Sequence, residues 1–198
     1  MLDHLGRKEK TMLIYSTTDA ILYKPELSEG LEKNIYIMDR FQKTDVSKDD
    51  EFQWVFRDFY QMRRFYSDTF AKHYFVLMEQ LKTTRNLSFK MAIERVKHIR
   101  NSYEMSFSSK LLHTINPLHP IWDSIVTVRH FGIKAPYASA KDREEACCQR
   151  YIEFENRFNA FMKSADGQAL INLFDKRFPG NGISNVKKID FILWQDRP

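Results

Sequence analysis

The segment SSKLLHTINPLHPIWDS, residues 108–124, gathers Lys110, His113, His119, Trp122 and Asp123 around Pro117 and Pro120. A lysine amine that sheds its proton is a nucleophile, able to form a Schiff base with a sugar carbon. A carboxylate beside it favours the ammonium form, but it can also stabilise a developing cationic sugar or move protons. The spacing allows the two to meet. Ser106 or Ser108 can cap a helix whose apolar side is Phe107, Leu111, Leu112 and Ile115, placing Lys110 in its first turn. Pro117 disfavours helical geometry at Asn116 and stops that helix. From Lys110 to Asn116 the helix rises only about 9 Å, at about 1.5 Å per residue. The extended piece PLHPI covers about 16 Å, at about 3.3 Å per residue, which is enough to return Asp123 to Lys110. Asp123 itself stands as a cap ahead of SIVTVRHF and a stopping Gly132. The residues alone leave two readings open: a reacting pair, or a solvated lysine and an ordinary N-cap.

No metal and no other cofactor is expected. Cys147 and Cys148 are adjacent, and neighbouring helical side chains point about 100° apart, too far for a disulfide or a shared ion. His113 and His119 straddle a proline instead of a helical turn, and neither CxxC nor HExxH occurs.

These residues need a scaffold, and the composition points to a helical one. The 198 residues are 43% hydrophobic and 29% charged, with 16 Phe and only 6 Gly and 6 Pro. Long apolar side chains with few breakers favour an all-α fold large enough to bury a core. The formal charge of +5 suits a polyanionic partner. No run approaches the length of a membrane span, and MLDHLGRKEK is too polar for a signal peptide. An intracellular, cytoplasmic monomer is expected, nucleoid-associated if the source is bacterial.

Periodicity places the elements. Residues 1–50 are the least regular and are expected to pack on the core as an N-terminal segment. TMLIYSTTDAILYKP reads as a short strand or broken helix, and LSEGLEKNIYIMDRF as a helix interrupted at Gly30. KTDVSKDDE is a polar connector. Residues 51–198 form the helical domain, with the whole chain as one structural unit. Phe52, Val55, Phe56, Phe59 and Met62 line a helix expected to end near Tyr66. SDT, residues 67–69, caps the next helix and Ser88 opens the one after. Ser139 with Asp142 makes a capping pattern for the helix striped by Cys147, Tyr151, Phe154, Phe158 and Phe161. DGQALINLFDKRF is helical, PGNG a loop, and VKKIDFILW a closing helix or strand.

SFSSKLLHTINPLHPIWDSIV resembles the catalytic segment of the helix-hairpin-helix DNA glycosylase superfamily, especially its 8-oxoguanine DNA glycosylase branch. The lysine of that pattern matches Lys110, and its proline–hydrophobic–aspartate element matches Pro120 to Asp123. The match covers about twenty residues, and beyond them only the helical order agrees. The resemblance implies a helix-hairpin-helix glycosylase-like domain acting on DNA, double-stranded by expectation, with base flipping, base excision and accompanying lyase chemistry. Lys110 and Asp123 would be the catalytic residues. The glycine hairpin that grips phosphate in the superfamily is replaced by MSFSSK, so Ser108 and Ser109 hydroxyls would donate in its place, with His113 and Trp122 as further nucleic-acid contacts. The Lys–Asp interval is shorter than in those enzymes. The alternative is a nucleic-acid or protein interaction module on the same scaffold, with no chemistry. The basic run ERVKHIR would hold the DNA backbone or form a solvated helix face.

Overall fold

The computed structural model describes residues 18–62 and 67–196, and among these all regular structure is helical. TMLIYST and the expected helix end at Tyr66 lie outside the described residues. No described helix is long and apolar enough to cross a membrane.

Helix α1, Pro25–Lys43, opens on a proline at its first position and buries Leu27, Leu31, Ile37 and Phe41. It runs unbroken through Gly30. A side chain there would sit 3.1 Å from the Phe191 ring, so the missing Cβ lets that ring approach. Helix α2, Asp50–Phe59, starts from Asp49, whose carboxylate accepts from the Phe52 amide. It stops earlier than its apolar stripe suggests, because Gln61 takes a left-handed conformation, φ 53°. Ser67 and Ser88 cap α3, Asp68–Leu81, and α4, Phe89–Arg100, each accepting an amide in the first turn. Asn101, φ 56°, ends α4.

Helix α5, Met105–Ile115, carries the motif and is buried on every side from Phe107 to Thr114. An extended return segment leads to a π-helical stretch, Ile125–His130, where a regular α-helix was expected. Gly132, φ 67°, closes it. Helix α6, Arg143–Lys163, begins after Asp142, although neither Asp142 nor Ser139 supplies a side-chain cap. Ser164 ends α6 and caps α7, Ala165–Arg177. Ser184 caps α8, Asn185–Gln195, so VKKIDFILW is a helix.

The main core joins aromatic residues of α2, α3, α5 and α6. A second cluster sets Leu27 and Leu31 of α1 against Leu170, Phe174, Phe191 and Ile192. Helices α5 and α8 are the most enclosed, and both carry charged residues inward. A buried charge is costly unless paired, which directs attention to what these two helices face.

Candidate functional site

Helix α5 begins at Met105 with Glu104 as N-cap, so Lys110 lies in the second turn and neither Ser106 nor Ser108 is the cap. The helix dipole weakens beyond the first turn, and burial is what governs the amine. Lys110 is only 7% exposed. Its Nζ donates to Ser106 Oγ at 2.9 Å and lies 4.4 Å from the Phe107 ring centroid and 5.4 Å from that of Tyr60. Desolvation pushes the amine down to about 8, against the pull of Asp123.

Asp123 arrives on the return segment, which is pinned at four points. The Trp122 amide donates to Ser109 Oγ at 2.8 Å, and Tyr151 Oη donates to the Pro120 carbonyl at 2.7 Å. His113 Nδ1 donates to the His119 carbonyl at 2.7 Å, and Ser184 Oγ to the Pro117 carbonyl at 2.9 Å. The Asp123 carboxylate accepts from the Ile125 amide at 2.9 Å, so it does stand at the head of the next helical segment. Burial raises its pKa, and the Ile125 hydrogen bond and Lys110 oppose that rise.

Lys110, Trp122 and Asp123 therefore share the wall of one cavity of about 760 Å³, within the size range of small-ligand sites. Lys110 and Asp123 make no ion pair within 4 Å among the described residues, and they interact through the space between them. Trp122 packs edge-on against Phe154 and is 5% exposed, so it is wall as well as core.

Ser108, Ser109 and His113 are not brought to this cavity. All three are at most 1% exposed, leaving their side chains no surface to offer a phosphate. Ser109 donates to the Ser106 carbonyl while accepting from Trp122. His113, pushed down to about 3 by burial, remains neutral and ties the return segment. The polar groups of Ser109 and His113 fasten the loop that delivers Asp123, whereas the buried Ser108 hydroxyl makes no hydrogen bond. In the ERVKHIR run, Arg95, His98 and Arg100 are exposed, while Lys97 donates to Tyr103 Oη at 2.7 Å.

Sequence reasoning missed the α8 contribution. Lys187, Asp190, Phe191 and Trp194 all line the cavity, and their numbering is one helical stripe. Lys187 Nζ is 2.7 Å from Asp190 Oδ2, and both residues are buried. The signal was a lysine and an aspartate three apart on the same stripe as two aromatics.

Arg100 and Arg143 also line the cavity, as do Glu26, Glu29 and Asp58. The wall is thus mixed in charge and rich in aromatic surface. Compared with known proteins, the chain matches no protein-family model, no curated protein and no solved structure.

Proposed function

We propose that this chain is a lysine-dependent DNA glycosylase with associated lyase chemistry, acting on a damaged or modified base flipped into the cavity. One observation carries the reading: a buried amine of lowered basicity faces, across a cavity, a carboxylate held on a separate element. With its pKa near 8, about one Lys110 in ten is uncharged at pH 7, against about one in three thousand for an ordinary lysine. Flipping is required because the anomeric carbon is not reachable within the base stack.

Lys110 Nζ attacks C1′ and forms a C–N bond as the glycosidic C1′–N bond breaks. The departing base takes that bond's electron pair and the proton the amine sheds, which Asp123 relays. The sugar ring then opens: the C1′–O4′ bond breaks, the amine lone pair makes the iminium, and O4′ takes a proton from solvent. Asp123 stabilises the positive charge that gathers on the sugar. Trp122 and Phe107 offer aromatic surface to a base. Arg100 and Arg143 are the residues to meet phosphate, in place of the buried serines, and binding through them weakens as salt rises.

Borohydride trapping on duplexes carrying damaged bases or abasic sites tests this. The expected result is a covalent adduct with the wild-type chain that is lost in Lys110→Gln, and base release slowed in Asp123→Asn. Equal trapping by Lys110→Gln assigns the chemistry to another lysine. No trapping and no base release across a broad panel would overturn the reading in favour of a non-catalytic module.

A further inference from the structure

We propose that Lys187 is the positioning residue of this site: a second buried ammonium, anchored by Asp190 and seated on the same tyrosine ring as Lys110, that favours the uncharged amine. The inference rests on reading Lys110 as the reacting group. Its basis is geometric. Lys187 Nζ lies 2.7 Å from Asp190 Oδ2 and is boxed by three rings, with centroids at 5.0 Å for Phe59, 5.5 Å for Tyr60 and 4.8 Å for Phe191. Lys110 Nζ lies 5.4 Å from the same Tyr60 centroid. The two nitrogens are therefore no more than about 11 Å apart, the sum of their distances to that centroid.

Held by one carboxylate and three rings, Lys187 cannot swing away into water as a surface lysine would. Both side chains are buried and line the same cavity, so their charges are screened less than those of surface lysines. A cation next to a lysine in an apolar pocket is a general means of keeping that lysine nucleophilic.

The return segment brings Asp123, which draws a proton toward the amine, and α8 brings Lys187 and Asp190. The end of α2 brings Tyr60, whose burial keeps its hydroxyl protonated. Farther out on the wall, Glu26, Glu29 and the Lys33–Asp58 pair lie toward α1, and Arg100 and Arg143 toward α4 and α6. Burial is the largest influence on the amine, Asp123 opposes it, and Lys187 lowers it further, ahead of the opposing Asp190.

The test is the titration of Lys110 itself, followed by carbon-detected NMR of lysine-labelled protein, its resonance assigned by loss in Lys110→Gln. Lys187→Met is expected to move the Lys110 midpoint up by about one pH unit, the repulsion of unit charges about 11 Å apart at an effective dielectric of about 20. Lys187→Arg, which keeps the charge, is expected to leave it in place. Because Lys187→Met strands a buried Asp190, the uncharged pair Lys187→Met/Asp190→Asn serves if the single variant does not fold, with a smaller upward shift expected. A midpoint unmoved in the folded variant, or moved equally by Lys187→Arg, overturns the proposal. The readout needs no substrate. Failure of trapping sinks the proposed function and leaves this result standing, whereas an unmoved midpoint sinks Lys187 and leaves trapping standing.

Discussion

Replacing Lys110 by Met should make the protein more stable at neutral pH. The folded state holds this amine near 8, against an ordinary lysine value of 10.5. At pH 7 the unfolded chain is fully protonated there, and the folded chain must bury the charge. A displacement of about 2.5 pH units corresponds to about 3 kcal/mol of destabilisation at pH 7. Methionine fills similar volume without charge, so the expected gain is about 3 kcal/mol, or about 6–12 °C in Tm for a chain of this size. The sign with pH follows. Between about 8 and 10.5 the unfolded state binds the proton more readily, so wild-type stability rises with pH and the advantage of Lys110→Met fades. Urea melts of both proteins at pH 7 and pH 10 measure this as a difference, in which other titrating groups cancel. A Met variant less stable at pH 7, or an advantage independent of pH, would refute a charge-bearing amine held out of water by burial. A residue that costs stability where an apolar one would serve is what a reacting group looks like energetically.

Ser109→Ala should cost about 1–3 kcal/mol, because the buried Trp122 amide loses its acceptor. It should also slow base release by loosening the segment that carries Asp123, and denaturant melts with single-turnover rates separate the two effects. Acid should weaken the fold through His113: its folded pKa of about 3 lies below the unfolded value of 6.5, so stability is lost as pH falls through that window. Melts from pH 7 to pH 4 should show a smaller loss in His113→Gln than in wild type. Gly167→Ala should destabilise by about 2 kcal/mol or more, since its Cβ would fall 2.1 Å from the Phe161 carbonyl oxygen. A thermal melt unchanged in that variant would mean the α6–α7 junction yields more easily than its geometry implies.

What the chain's own residues determined is local. The 3.6-residue stripes of α2 to α4 and α6, the Ser67 and Ser88 caps, the proline stop after α5 and the Gly132 closure depend on neighbours within a few positions, and all appear in the structure. The return of Asp123 toward Lys110 was also legible, because chain reach is a matter of residue count. Tertiary structure alone decided which polar residues face the cavity. Ser109 and His113 stand within one helical turn of Lys110, yet they point into hydrogen bonds with the return segment while the lysine lines the cavity. In a helix buried on every side no stripe marks the functional face. The stop at Gln61, the passage of α1 through Gly30 and the π-helical winding after Asp123 depend likewise on what packs against those turns. The Lys187–Asp190 pair meets Lys110 across a gap of seventy-seven residues, 187 minus 110. Burial and electrostatic coupling are sums over such distant contacts, and no window along the chain contains them.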